Sequence, residues 1–320
     1  MRSRLTLAIA TVLVLPLSAH AQNPVYRTPR LPAPTGFRVM IVPDMEGMGS
    51  TIMGAEVSGA TVPGTIYSDY WTNFRSLLTK EVNAVITGAR RGGGRDFVVT
   101  EGHGANRWAS TLPWELDSAA ILIRGWPKPL AMISGIDSTV GTIMVIGAHA
   151  NAGTAGVLAH HFVFDTFTVN GKSLNEAATY ALIAGAFGVS VSMVAGDDIL
   201  VEETKQMLGN GVMGVVVKQA ISRTAALTWS PARVRQMLAD SAAVAVRREL
   251  AGDFKPFTMP APYNVRYTLR ATFSDSVTAL IDGQKFPGVE RIAGRNYRFT
   301  TNDVKQIGYL LDVLEHPLVR

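Results

Sequence analysis

Short β-branched runs alternating with stretches of helical period constrain this chain more than any other feature. Phe37 to Val42 (FRVMIV) is an apolar run that breaks sharply at Pro43-Asp44, and it reads as a buried strand. From about Tyr67 to Arg90 apolar residues recur at helical spacing (Phe74, Leu77, Leu78, Val82, Val85, Ile86) until Gly92-Gly93-Gly94 stops them. Further strands are expected at Asp96 to Thr100, Thr142 to Ile146 and Ser190 to Ala195, with a helix at about Ser173 to Phe187. Beyond Gly196-Asp197-Asp198 follow a helix near Leu200 to Met207, a strand at Val212 to Val217 and a helix opened by Ser230-Pro231. This alternation predicts an α/β fold, a mostly parallel, doubly wound sheet over residues 37–255. Pro256, Pro260 and Pro262 mark a linker, and residues 256–320 form a smaller C-terminal α+β unit with strands at Tyr263 to Phe273 and Arg295 to Phe299 and a helix at Asn302 to Leu314.

Two segments precede this fold. Residues 1–21 combine Arg2 and Arg4, an apolar run from Leu5 to Leu17 and the small-x-small triplet Ala19-His20-Ala21, the pattern of a secretory signal peptide. The run is shorter than the roughly 20 residues that span a bilayer and is broken by Pro16, so no stable membrane anchor is expected. The mature protein is then exported, to a periplasm or the cell exterior. Residues 22–36, with Pro24, Pro29, Pro32 and Pro34, read as an extended arm. The formal charge of +5 falls by two without Arg2 and Arg4, too weak a bias to argue for a nucleic-acid partner. The chain has no cysteine, so no disulfide holds it and any metal must be held by histidine and carboxylate.

Histidine is scarce, six in the chain, and two of them fall just past strand ends: His103 in TEGHG and His149 in IGAHA. Asp44 and Glu46, in VPDMEGMG, follow a third strand. Loops after the carboxyl ends of neighbouring parallel strands converge on one crevice, so these four side chains can meet. Imidazole with carboxylate suits zinc, with manganese or cobalt as alternatives.

The segments PDMEGMGS, TKEVNAVITGARRGG, TEGHGAN, IGAHANAGTAGVLAHHF, VNGKSLNEAA, VSMVAGDD and VKQAISRTAALTWSPA, in this order, resemble the DppA-like zinc D-aminopeptidases from about Phe37 to Asp240. The resemblance implies two zinc ions per subunit, with ligands at Asp44, Glu46, His103, His149 and Glu176. Asp44 would bridge, Glu46 and His103 would complete one ion, and His149 and Glu176 the other. It places a catalytic histidine eleven residues after His149, at His160, beside His161. His160 would stabilise the oxyanion, shuttle a proton or attack directly. Glu101, where the family commonly has Asp, would orient His103 from behind, and the connection from His160 to Glu176 is short for the family. Asp197 and Lys218 are further candidates for supporting the site or meeting substrate. Lys218, Gln219, Ser222 and Arg223 share one matching segment, and cations beside a cleft or on a solvated face look alike in sequence. The resemblance also implies short peptide substrates, N-terminal D-residues such as D-alanine, and a homo-oligomer, with a decamer among the expected sizes. Two other readings fit parts of the pattern: a metal-dependent hydrolase of another amide or ester, and a non-enzymatic exported binding protein.

Overall fold

The computed structural model describes residues 27–58, 70–104, 108–209, 211–273 and 288–315. The expected signal peptide, and the first residues of the arm, lie outside them. The large sheet contains β1 (Arg38–Pro43), β2 (Asp96–Thr100), β3 (Ala120–Ile123) and β4 (Val140–Ala148). Two strands then join another sheet, β5 (Phe164–Val169) and β6 (Lys172–Ser173), before the large sheet resumes with β7 (Ser190–Asp197), β8 (Met213–Ser222) and β9 (Ala225–Thr228). The order is β3-β2-β1-β4-β7-β8-β9, parallel throughout except for the β8–β9 hairpin. The expected α/β class is therefore observed.

The helices are α1 (Gly54–Val57), α2 (Tyr70–Gly92), α3 (Glu176–Gly185), α4 (Asp198–Leu208), α5 (Pro231–Leu250) and α6 (Lys305–Glu315). Every residue of β1 is buried because both sheet faces are covered. Val39 and Ile41 pack with Val82, Val85 and Ile86 of α2 and Leu238 and Ala242 of α5. Met40 and Val42, pointing the other way, join the core of Tyr180 and Ile183 from α3 and Leu311 from α6. No described helix is long and apolar enough to cross a membrane.

A second, antiparallel sheet has the order β11-β12-β10-β5-β6, with β10 at Tyr263–Leu269, β11 at Val289–Ala293 and β12 at Asn296–Thr301. The segment expected as a separate C-terminal unit thus takes two of its strands from inside residues 37–255. One apolar core runs through both, from Phe164 and Phe167 to Val265, Tyr267 and Ile183. Where a single strand to Phe273 was expected, β10 stops at Leu269 and Ala271–Phe273 forms a 3-10 turn.

The strand order fixes where a site can form. The chain builds outward from β1 to β2 and β3, then returns to the other side of β1 as β4. Connections on the two sides of this switch point diverge, opening a crevice at the carboxyl ends of β1 and β4.

Candidate metal centre

The loop after β1 folds directly over the end of β4. The Asp44 amide donates to the Ile146 carbonyl at 2.8 Å, and the Gly47 amide to the Gly147 carbonyl at 2.7 Å. So close an approach requires glycine. Gly147 has φ +66°, and a Cβ there would lie 1.9 Å from the Asp44 carbonyl oxygen; one on Gly47 would lie 1.6 Å from that of Ala148. Asp44 is thereby set against His149, while β2, on the other flank of β1, delivers His103.

The five expected ligands do converge. Asp44 Oδ1 lies 3.1 Å from His103 Nδ1, and Asp44 Oδ2 lies 3.5 Å from His149 Nε2. Glu46 Oε2 is 3.0 Å from the same His103 nitrogen, and Glu176 Oε1 is 3.4 Å from the same His149 nitrogen. Asp44 therefore turns one oxygen to each half of the cluster. All five side chains are buried. Glu176 is the first residue of α3, held there by the Asn175 cap, which accepts from the Ala178 amide at 2.9 Å.

Backbone carbonyls fix both histidine tautomers. His103 Nε2 meets the Val57 carbonyl at 2.6 Å, and His149 Nδ1 meets that of Ala150 at 3.1 Å. A carbonyl only accepts, so those nitrogens carry the hydrogen, and in the neutral ring the nitrogen facing the carboxylates is a free lone pair. Electrostatics point the same way. Burial, followed by the neighbouring Glu46, pushes Asp44 up to about 8. Burial opposes protonation of His149, yet Glu176 and then Asp44 raise it to about 10. Three buried carboxylates thus draw positive charge inward, a demand that a divalent cation would meet. The donor chemistry fits one: Asp44, Glu46 and His149, and also His149, His160 and Glu176, each offer ligand atoms within 4.8 Å of one another.

His160 stacks on His149 with ring centroids 3.8 Å apart and planes 11° from parallel. It is half-buried, and its Nδ1 is 2.8 Å from the Leu158 carbonyl, so Nε2 is left as the acceptor. Burial, and then the charge of His149, lower it to about 4, so its Nε2 is unprotonated near neutrality.

The remaining candidates lie behind this cluster. Glu101 was expected to orient His103; instead its Oε1 accepts from the Thr111 amide at 2.8 Å, because His103 is already held by Val57. His161 is fully buried, stacked on Phe167 at 4.7 Å, with Nε2 3.3 Å from the Thr179 hydroxyl. Asp197 caps α4 through the Leu200 amide at 2.8 Å, and its other oxygen takes the Val157 amide at 2.7 Å, steadying the loop that leads to His160. Lys218 is fully buried and donates to the carbonyls of Glu46 and Thr51, both at 2.6 Å, so it braces the Asp44–Thr51 loop and does not face a cleft.

Three supports escape sequence reasoning. Glu203 accepts from the Asn151 amide at 3.0 Å and from the Asn175 side chain at 3.4 Å, joining the His149 loop to the start of α3. Nothing in its surroundings in sequence marks it. The same holds for Glu81, a buried residue of α2 that accepts from the Gly49 backbone, and for the Val57 carbonyl. Asn175 alone carried a signal, as a cap residue before a helix.

Comparison with known proteins is consistent with this geometry. A D-aminopeptidase of Bacillus subtilis (strain 168) is 34% identical over 188 residues, 58% of this chain and 67% of the relative. The solved structure of the Zn-dependent D-aminopeptidase DppA from Bacillus subtilis, described as a self-compartmentalizing protease, superimposes with a TM-score of 0.76. It is 26% identical, and the match covers 88% of this chain and 98% of that one. The family pattern described as D-aminopeptidase matches residues 37–313, nearly the whole folded chain, and the chain therefore belongs to the D-aminopeptidase family.

Proposed function

We propose that the protein is an exported, zinc-dependent aminopeptidase that removes an N-terminal D-residue, D-alanine above all, from short peptides. The observation that carries this reading is Asp44, whose two carboxylate oxygens face His103 and His149 separately. Two zinc ions per subunit fit such a bridge. Asp44, Glu46 and His103 would hold one, and Asp44, His149 and Glu176 the other. Bound there, the ions would supply Lewis acidity to the scissile carbonyl and acidify water.

The chain's own groups do the rest. The loop over β4 fixes Asp44 and His149 before substrate arrives, which avoids reorganisation during the reaction. His160, its Nδ1–H tied to the Leu158 carbonyl, presents Nε2 to take a proton and return it to the leaving amine. Its neutral state is secured by burial beside His149. Export is inferred from the signal-like residues 1–21, and the substrates would be D-alanyl peptides outside the cytoplasm. The self-compartmentalizing relative supports a homo-oligomer, for which a ring of ten is the proposed size.

The test is release of the N-terminal residue from matched D-alanyl and L-alanyl peptides, with zinc, after chelation, and with His160→Ala. D-alanine release abolished by the chelator and by the variant is expected. Selective L-alanine release would overturn the stereochemistry, and release that survives chelation would overturn the metal centre.

A further inference from the structure

His160 and His161 are neighbours in the chain with different surroundings. His160 stacks on His149 at the metal centre, whereas His161 is fully buried against aromatic rings, 4.7 Å from that of Phe167 and 5.7 Å from that of Phe164. A phenylalanine would fill such a place without the cost of desolvating an imidazole, so the histidine is explained by what its nitrogen does. Its Nε2 lies 3.3 Å from the Thr179 hydroxyl, whose only hydrogen goes to the Asn175 carbonyl at 2.9 Å. The hydroxyl oxygen is left to accept, so His161 donates.

This bond ends beside a metal ligand. Asn175 caps α3, Glu176 is its first residue, and Thr179 lies one turn on. The Phe162 amide donates to Glu176 Oε1 at 2.7 Å, the same oxygen that faces His149. Consecutive residues, His161 and Phe162, thus tie one turn of chain to the start of α3. That turn carries strain: Leu158 and Phe162 have φ of +51° and +41°, the left-handed region that bulky side chains disfavour. We propose that His161 is a positioning residue: through Thr179 it holds the 158–162 turn against α3, keeping the Phe162 amide on Glu176 and the His160 ring on His149. This rests on the two-ion reading above. Without the bond, the ion held by His149 and Glu176 loosens, while the one held by Glu46 and His103 is unaffected.

The experiment is titration of metal-free protein with zinc against a competing chelator. His161→Phe keeps a ring and loses the donor; Thr179→Val keeps the shape and loses the acceptor. In each, one of two zinc steps should weaken about 10–100-fold, the cost of losing an outer partner of a ligand, with the other step unchanged. Thr179→Ser retains the hydroxyl and should restore the weakened step. With zinc in excess, kcat for D-alanyl-glycine should fall roughly tenfold in the first two variants at unchanged KM, because His160 acts in the transition state. Wild-type zinc binding in both variants overturns the proposal. So does equal weakening of the two steps, the mark of a general loss of structure, and so does a Thr179→Ser protein as impaired as Thr179→Val. A kcat equal to that of wild type overturns the hold on His160. D-alanine release by the unsubstituted enzyme is measured alongside. Its absence would remove the aminopeptidase reading, while selective loss of one zinc step would still establish the hold on Glu176.

Discussion

Gly147→Ala should damage the metal centre without replacing any ligand side chain. The added Cβ would sit 1.9 Å from the Asp44 carbonyl oxygen, and real Cβ contacts stay beyond 3.0 Å, so the β1 and β4 loops must part by about 1 Å. Alanine at φ +66° costs about 1–2 kcal/mol by itself. Parting the loops also weakens the hydrogen bonds Asp44 to Ile146 and Gly47 to Gly147, each contributing about 1 kcal/mol, for a total of about 3–4 kcal/mol. Gly188→Ala is the control. Its φ is +74° and nothing lies within 4 Å, so it carries only the backbone cost. Urea unfolding of the two variants should differ by about 2 kcal/mol. Zinc retained after dialysis should fall in Gly147→Ala alone. Equal stability losses with equal zinc content would refute the idea that loop contact at the switch point sets the Asp44–His149 geometry.

Lys218→Met removes both donors to the Asp44–Thr51 loop, and zinc affinity measured by chelator competition should drop about 10–100-fold; an unchanged affinity would show that the loop needs no brace. Burial raises Glu81 from 4.5 to about 7, so between those pH values the folded chain holds a proton that the unfolded chain has released, and stability falls as pH rises across that window. The stability of wild type relative to Glu81→Gln should decline by about 1.4 kcal/mol per pH unit there in metal-free protein. A difference that stays constant from pH 5 to pH 7 would contradict the burial argument. Zinc at a hundred times its dissociation constant should raise unfolding free energy by about 2.7 kcal/mol, and His149→Ala should cancel the gain; identical thermal midpoints with and without zinc would count against the centre.

The parts of the fold that the sequence made plain are those where local pattern and tertiary burial agree. The run at β1 is buried on both faces, and an uninterrupted apolar segment is the expected mark of that environment. The placement of Asp44, His103 and His149 just past strand ends was likewise legible, because parallel strands carry their loops to one edge. By contrast, β3 and β9 are edge strands of four residues, half-buried to exposed, and β6 has only two residues, so none carries a period long enough to detect. The burial pattern of β5, with Asp165 and Thr166 exposed and Phe167 buried, belongs to a sheet of which three strands, β10, β11 and β12, lie far along the chain. The supporting shell was the least visible. Lys218, Glu81 and Glu203 act on backbone groups brought near by folding, and a buried lysine bonded to two carbonyls cannot be told from a surface lysine in sequence.

The pairing of β5 with β10 has a consequence for when the enzyme becomes active. Thr166 and Thr268 bond across a separation of 102 residues, and β5 lies between His160 and Glu176 in the chain. The segment between the proposed reacting histidine, His160, and the proposed ligand Glu176 thus gains its partner β10 only after most of the polypeptide has been made and has folded back. Until then the chain would carry a complete set of ligands without a place to assemble them. A nascent chain would accordingly be silent, with hydrolysis waiting on the closing of the second sheet.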